Sequence, residues 1–340
     1  MKTTILKILL IAIITGVYAQ ERKTIGSIER LMPEMRDFIP DDREIEILAE
    51  GFGWSEGPVW VDNLNALLFS DVPGNKVYKW SEEEGLSVFL NPGGYTGIAP
   101  REKKGSKNAM NRDESGSNGL VLDKSGQLII CMHGDRKITR LEKLNINRKV
   151  TLVNSFDGNL LNSPNDLVYD SKGNLYFTDP PYGLLEGDND KLKEIEFNGV
   201  YKVSPNGDIE VLVKNLTRPN GISISNDEKT LYVANSDKNN PVIMQYDLSE
   251  EGAKNPSIFF DGRELTKKDI GLFDGLKVHP TGNVFATGPG GVLVIKENGD
   301  HIGTIRTEVR TANCAFDENF QYLYMTSDMF LTRIKLLLTI

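Results

Sequence analysis

The chain has 340 residues, of which 39% are hydrophobic and 26% are charged, as in typical globular proteins. Its formal net charge of −9 at pH 7 disfavours nucleic acid or an anionic membrane surface as a partner. The 2 cysteines are too few for a disulfide framework or for a thiolate-rich metal site.

Residues 1–19 have the pattern of a signal peptide. Lys2 and Lys7 form a basic start, residues 5–14 are apolar, and residues 17–19 end in Ala19 at a position suited to cleavage. We expect cleavage after Ala19 and export to a periplasm or to the outside of the cell, with an uncleaved N-terminal anchor as the alternative. After cleavage we expect no membrane association, because no other stretch is long and apolar enough to span a bilayer.

Residues 20–44 are predicted to form a loosely packed N-terminal arm, and residues 45–340 carry a repeat. A polar residue opens a short apolar run, which is followed by a turn and a second apolar strand. This pattern occurs six times, roughly 40 to 60 residues apart, with room for four short strands per copy and almost no helical periodicity. It predicts an all-β fold, a six-bladed β-propeller with four-stranded antiparallel blades. The opening residues are Glu56, Asn118, Asn165, Asn220, Asp274 and Asn313.

The repeat also predicts where these opening residues lie. The innermost strand of each blade runs beside the central channel, so the six polar side chains should converge at one channel mouth. In four copies the next residue is glycine, which lets the backbones crowd near the axis. Asp166 and Cys314 depart from that sub-pattern.

Two further features of the propeller region leave alternatives open. Residues 91–117 are Gly-rich and charged, and they form either a lid over the channel mouth or a solvated excursion. Cys131 and Cys314 both lie in apolar runs, which favours two buried free thiols over a disulfide bridge.

The ring of oxygen donors indicates a hard divalent cation. Ca²⁺ suits carboxylate and amide oxygens in flexible geometry, with Zn²⁺, Mg²⁺ or Mn²⁺ and a purely structural calcium as alternatives. A cation with open coordination places can polarise an ester carbonyl, and a carboxylate can then act as general base. Asp274 is the predicted base, whereas Glu56 precedes the rigid Gly57-Pro58 pair and is predicted to be a fixed ligand. A Ser-His-Asp site is disfavoured because no G-x-S-x-G elbow occurs.

Residues next to the ring are predicted to contact a substrate. His133 follows the second inner strand, and Tyr182 follows the strand that ends at Asp179. The predicted substrate-binding set is therefore Asn118, His133, Asn165 and Tyr182.

Several motifs, taken together and in order, resemble one known family. They are Glu56-Gly-Pro-Val-Trp, Ser117-Asn-Gly, Cys131-Met-His-Gly-Asp, Ser163-Pro-Asn-Asp, Arg218-Pro-Asn-Gly and Asp274-Gly. From about residue 45 to 337 the chain resembles the SMP-30/gluconolactonase/LRE-like group of calcium-dependent propeller lactonases related to regucalcin, especially its exported bacterial branch. The resemblance implies that Asp274 is both base and ligand, within a metal-binding set of Glu56, Asn165, Asn220 and Asp274.

Two positions depart from the family pattern. Animal members carry Arg where this chain has Ser163, so their mode of binding the sugar lactone does not transfer. Phe273 replaces a proline before Asp274, which changes the pocket wall but not the ligand.

The sequence thus predicts an exported, calcium-dependent hydrolase that opens sugar lactones. One alternative is phosphotriester or organophosphate hydrolysis at the same metal. Another is a non-catalytic, calcium-stabilised propeller that binds a sugar or a protein partner. The particular lactone and the oligomeric state stay open.

Overall fold

The structure is a computed structural model that describes residues 22–99 and 113–337. The predicted signal peptide lies outside the described residues. The described chain begins with Thr24–Ile25 (β1), Ser27–Arg30 (β2), the short helix Met35–Phe38 (α1) and Ile45–Glu50 (β3).

The first three blades follow in chain order, each as an antiparallel four-stranded sheet. Blade 1 comprises Ser55–Val61 (β4), Ala66–Asp71 (β5), Lys76–Ser81 (β6) and Gly85–Leu90 (β7). Blade 2 comprises Ser117–Leu122 (β8), Leu128–Met132 (β9), Lys137–Lys143 (β10) and Ile146–Val153 (β11). After a hairpin of Ser155–Phe156 (β12) and Asn159–Leu160 (β13), blade 3 comprises Leu167–Tyr169 (β14), Leu175–Asp179 (β15), Gly199–Val203 (β16) and Ile209–Val213 (β17).

The last three blades repeat this arrangement. Blade 4 comprises Pro219–Ile224 (β18), Thr230–Asn235 (β19), Val242–Ser249 (β20) and Gly252–Asp261 (β21). Blade 5 comprises Leu276–Val278 (β22), Val284–Gly288 (β23), Gly291–Ile295 (β24) and His301–Arg306 (β25). Blade 6 comprises Thr311–Phe316 (β26), Tyr322–Ser327 (β27) and Phe330–Lys335 (β28), with β3 as its fourth strand. The described residues also form two 3₁₀ turns, Asp62–Leu64 and Gly187–Asn189.

The six-bladed β-propeller predicted from the repeat is confirmed. The ring is closed by pairing the N-terminal strand β3 with the C-terminal strand β28, for example Ala49 with Leu331. Closure by strands from both ends of the propeller ties the termini together, so that the ring has no open seam between its first and last blades.

Turn chemistry explains why the strands begin and end where they do. The Asp170 carboxylate accepts a hydrogen bond from the Asn174 amide N–H at 2.8 Å, and Gly173 adopts a positive φ of 88° between them. Asp123 and Gly126 do the same in blade 2, where the Asp123 carboxylate accepts the Gln127 N–H at 3.0 Å. These side chains satisfy turn N–H groups that the sheet leaves unpaired.

Apolar side chains between neighbouring blades form the core. Each of the six blade-to-blade junctions holds its own cluster of buried residues; Leu68 with Leu128 and Phe177 with Ile129 are examples. Each fully buried Leu, Ile or Phe stabilises the fold by roughly 1.5–3 kcal/mol. The clusters hold the blades at a fixed angle around the channel, which fixes the ends of the inner strands.

The prediction of a loosely packed N-terminal arm is wrong for the described residues 22–44. Strand β1 adds a fifth strand to blade 6, and β2 adds a fifth strand to blade 5. Met35, Phe38 and Ile39 are buried in the cluster between these two blades. The arm therefore forms part of the core.

Both cysteines are buried free thiols, as predicted. Cys131 packs between blades 2 and 3, whereas Cys314 packs between blades 5 and 6. In the part of the chain that the structure describes, no helix has the length and apolar character needed to cross a membrane.

Candidate active site at the channel mouth

The inner strands bring five of the six predicted ring residues to one cavity. Glu56, Asn118 and Asn220 lie near the starts of β4, β8 and β18, whereas Asn165 and Asp274 come two residues before β14 and β22. All five line a cavity of about 620 Å³ at the channel mouth. The size is within the range of small-molecule sites.

Glycine after the ring residue permits the close approach of neighbouring inner strands, as predicted. A Cβ on Gly57 would lie 2.0 Å from the Asn118 carbonyl oxygen, and one on Gly221 would lie 2.1 Å from the Asp274 carbonyl oxygen. The Gly221 N–H donates to that same Asp274 oxygen at 3.1 Å. Side chains at these positions would separate the strands and pull the ring apart.

Glu56 is a buried carboxylate that lines the cavity. Its Oε2 accepts the Gly57 N–H at 3.0 Å. Burial raises the pKa of Glu56 to about 8, and the nearby Asp166 and Glu114 charges act in the same direction. Such a group requires a compensating positive charge or a proton at neutral pH.

Two amide oxygens of the ring have no hydrogen-bond partner among the described residues. They are Asn118 Oδ1 and Asn220 Oδ1, and both side chains are buried. Leaving a buried acceptor without a partner destabilises the folded protein by about 1–3 kcal/mol. These two oxygens are therefore suited to a partner from outside the chain, such as a cation or a ligand. Amide and carboxylate oxygens without His or Cys fit a hard cation such as Ca²⁺. Clusters of three or more His, Cys, Asp or Glu residues suited to a metal are absent from the described chain, so the fit depends on the asparagines.

Tyr182 and Asp274 face the same cavity. Burial raises the pKa of the Tyr182 phenol, the Asp274 charge adds to that effect, and a hydrogen bond with the Ser236 side chain opposes it. Tyr182 is therefore a neutral phenol beside a carboxylate at neutral pH, and it can donate a hydrogen bond within the site.

Hydroxyl groups on the second strands hold the ring backbone in place. Thr178 Oγ1 donates to the Asn220 carbonyl at 2.7 Å, and Ser70 Oγ donates to the Asn118 carbonyl at 2.8 Å. Each bond runs from one blade to the ring residue of the next, so the spacing of the ring is fixed by more than side-chain packing.

Asn313 differs from the other five ring residues. It is buried, but it does not line the cavity, because its Nδ2 donates to Asp166 Oδ2 at 3.3 Å. Asp166 stands where four of the other blades have glycine, and its side chain reaches across the channel. Five of the six predicted ring residues therefore line the cavity. The sixth, Asn313, instead forms a hydrogen bond across the channel with Asp166.

The predicted substrate contact at His133 is not supported by its position. The side chain is fully buried and does not line the cavity, and its Nδ1 lies 3.3 Å from the Glu114 carbonyl oxygen. The segment that carries Glu114 covers it. Asn118, Asn165 and Tyr182 do line the cavity, and their roles in binding stay predictions.

Several residues that line the cavity carry no signal in the sequence. They lie on loops outside the repeat, where no periodic signal marks them: Trp54, Glu114, Ser236, Leu272, Arg310 and Asp328. Glu114 is buried near Glu56, although it lies within the Gly-rich, charged segment 91–117. In that segment Thr96 is anchored by hydrogen bonds to Asp135 at 2.6 and 2.9 Å. The remaining part of the predicted lid, residues 100–112, lies outside the described residues.

Comparisons with known proteins agree with this architecture and confirm the resemblance. Residues 54–329 match the family model described as the SMP-30/Gluconolactonase/LRE-like region. A gluconolactonase from Zymomonas mobilis is 36% identical over 317 residues, which cover 92% of this chain and 86% of that protein.

Solved structures show the same fold. A gluconolactonase from Xanthomonas campestris has a TM-score of 0.80 at 27% identity, over 94% of this chain and 98% of that chain. A calcium-binding regucalcin from Agrobacterium tumefaciens shares the fold, with a TM-score of 0.64 at 15% identity over 86% of this chain and 94% of that chain. The chain belongs to the SMP-30/gluconolactonase/LRE-like family.

Proposed function

We propose that this protein is a carboxylic ester hydrolase that opens sugar lactones in the channel-mouth cavity. Family membership and the gluconolactonase relatives support this activity. The observation that carries the proposal is the pair of unpartnered amide oxygens, on Asn118 and Asn220, in a cavity that also holds the Glu56 carboxylate. A hexose lactone supplies hydroxyl donors that suit such a wall of acceptors.

Substrate contacts are assigned to the polar groups that face the cavity. Asn118 Oδ1 accepts a hydrogen bond from a sugar hydroxyl, and the neutral Tyr182 phenol donates one. Asn165 completes the proposed binding set from the neighbouring inner strand. These groups orient the ring so that its carbonyl points towards Asp274.

Hydrolysis needs a group that accepts a proton from water. The Asp274 carboxylate accepts one proton while the water oxygen bonds to the carbonyl carbon. The ring carbon–oxygen bond then breaks, and the proton passes to the released ring oxygen. The product is a hydroxy acid, and Asp274 returns to its ionised form.

The residues that would hold a divalent cation are Glu56, Asn165, Asn220 and Asp274. A bound cation supplies Lewis-acid polarisation of the ester carbonyl. We propose Ca²⁺ over Zn²⁺ because this set contains oxygen donors alone. Mg²⁺ and Mn²⁺ share that preference for oxygen and belong in the same assays.

The test is release of acid from glucono-1,5-lactone by wild type and by Asp274→Asn. The asparagine keeps an oxygen donor but cannot accept the proton, so kcat should fall by roughly 10²- to 10⁴-fold. Asp300→Asn is the control, because Asp300 is exposed in a turn that follows β24. Full activity in Asp274→Asn would contradict the assignment of the base. Turnover of a phosphotriester without lactone turnover would contradict the proposed function itself.

We also propose that the chain is exported. The basic start, apolar core and Ala19 of residues 1–19 support export. N-terminal sequencing of protein from the exported fraction should begin at Gln20. Intact Met1 in that fraction would favour the uncleaved anchor.

A further inference from the structure

A second groove opens beside the catalytic cavity. The two share part of a wall, formed by Gly271, Leu272 and Arg310. The wall is held in place, since the Ile270 carbonyl accepts the Gly290 N–H at 2.8 Å. The cavity and the groove are therefore adjacent, and they meet at Gly271, Leu272 and Arg310.

All three acidic residues of the groove already have cationic partners. Asp261 pairs with Arg263, Glu264 pairs with Lys267, and the Asp269 carboxylate lies 2.8 Å from Arg306. Arg306 also pairs with Glu29 of strand β2 at 2.8 Å, which ties the wall to the N-terminal arm. No unneutralised carboxylate of the groove is left among the described residues.

Two cations of the groove have no such partner. The side chains of Lys238 and Arg310 form no salt bridge or hydrogen bond with any residue that the structure describes, and both are exposed. The Lys238 charge interacts with that of the neighbouring Asp237, so Arg310 carries most of the local excess of positive charge at this groove, in a chain with a net charge of −9. A ligand with a negative group would be attracted here.

The wall of the cavity carries four acidic side chains, Glu56, Glu114, Asp274 and Asp328, against the single cationic side chain of Arg310. A cation held by Glu56 and Asp274 would offset those two charges, which leaves Glu114 and Asp328 to repel an anionic substituent. Like charges in a partly desolvated site repel strongly. Among the side chains of the wall, Arg310 is the one that attracts an anionic group on a bound lactone, and a lactone held there by that group would turn its other end towards Asp274.

We propose that the groove is a subsite for a carboxylate carried by the lactone at the end remote from its ester carbonyl. The inference rests on the proposed lactone hydrolysis and names its substrate class, an acidic sugar lactone. Arg310 stands at the junction and contacts the carboxylate of a single acidic sugar. Lys238 lies farther along the groove and contributes when the substituent is longer.

The experiment compares two lactones that share ring size and stereochemistry. Glucono-1,4-lactone has a hydroxymethyl group at C6, and glucaro-1,4-lactone has a carboxylate there. The readout is the ratio of kcat/KM for the acidic lactone to kcat/KM for the neutral one, so that a general loss of folding or activity cancels. Arg310→Gln should lower this ratio about fivefold, the effect of losing one exposed charge pair.

Controls separate a specific subsite from general electrostatics. Lys229→Gln removes an exposed charge from the turn between β18 and β19, away from the groove, and should leave the ratio unchanged. Adding 1 M NaCl should lower the wild-type ratio towards that of Arg310→Gln, because the Debye length shrinks to about 3 Å. An equal ratio in wild type and Arg310→Gln would overturn the inference.

If neither lactone is hydrolysed, the proposed function fails, but the subsite can still be tested. Calorimetry then measures the binding of the two open-chain acids, glucarate and gluconate. Wild type should then bind glucarate more tightly than gluconate, and Arg310→Gln should lose that difference. Equal affinity for the two acids in wild type would overturn the subsite.

Discussion

Asn313 Nδ2 donates a hydrogen bond to Asp166 Oδ2 at 3.3 Å, joining blade 6 to blade 3 across the central channel. Lys277 adds to the crossing, with its Nζ 3.4 Å from Asn313 Oδ1 and 3.8 Å from Asp166 Oδ2. The Asn313 side chain packs directly against Gly275, where an added Cβ would lie 2.0 Å from Asn313 Cγ. The contact between Asn313 and Asp166 therefore depends on the absence of a side chain at Gly275, which belongs to blade 5.

Gly275→Ala should destabilise the fold by about 1–3 kcal/mol, the usual cost of overpacking. Asn313→Ala should cost about 1–3 kcal/mol, because Asp166 loses a buried partner. In the double variant the added methyl group no longer meets Asn313, so the combined loss should fall short of the sum. Chemical denaturation of all four proteins measures this coupling, and strict additivity would contradict the described contact.

Gly57→Ala should be more costly than an ordinary glycine replacement. Gly57 has a φ of 49°, and a Cβ there would lie 2.0 Å from the Asn118 carbonyl oxygen. Gly158 has a φ of 82° with nothing within 4 Å of its added Cβ, so Gly158→Ala isolates the backbone strain. The difference between the two variants in unfolding free energy should be about 1–3 kcal/mol. Equal losses would mean that the inner strands do not need this close approach.

The propeller could be predicted from the sequence because its signals are local. Short apolar runs and Asp, Asn and Gly turns recur at a regular spacing, and they place Glu56 and Asn220 at equivalent points of their blades. The packing of the arm could not be predicted this way. Ser27 pairs with Arg306 and Thr24 pairs with Glu46 in the sheets. No local sequence pattern indicates pairing between residues so far apart along the chain.

The candidate site was predicted where the repeat supplies its residues and missed where loops do. Asn118 and Asp274 open inner strands, so the repeat places them at the mouth. Glu114 and Arg310 lie on connections whose course is set by tertiary contacts. His133 is buried and contacts the Glu114 carbonyl, and no local pattern in the sequence indicates this tertiary contact.

Thr178→Val should weaken both the fold and the ring. Thr178 Oγ1 donates to the Asn220 carbonyl at 2.7 Å and accepts the Asp166 N–H at 3.2 Å. Valine has nearly the same shape but leaves both groups unsatisfied, at a cost of about 1–3 kcal/mol each. Thr139→Val is the matched control, because within the described chain that buried hydroxyl meets only the Met132 sulfur, at 3.2 Å. Equal stability and equal calcium affinity in the two variants would contradict a role for Thr178.

His279 should make stability depend on pH. It is buried among aromatic rings including Phe38 and Phe285, and burial lowers its pKa to about 4. The unfolded chain binds a proton at His279 more readily than the folded protein does. The contribution of the neutral imidazole to the free energy of unfolding is therefore complete above about pH 6.5, and about 3 kcal/mol of it is lost as the pH falls towards 4. The unfolding free energies of wild type and His279→Gln should therefore converge over this range. A difference that does not change with pH would contradict a neutral buried imidazole.

The most direct test of the central claim is the hydrolysis of glucono-1,5-lactone with EDTA and after calcium is restored. Acid release is followed with a pH indicator, and the spontaneous rate without protein is subtracted. We predict that EDTA abolishes the protein-dependent rate and that calcium in excess of EDTA restores it. An unchanged rate in EDTA would contradict the cation site formed by Glu56, Asn165, Asn220 and Asp274.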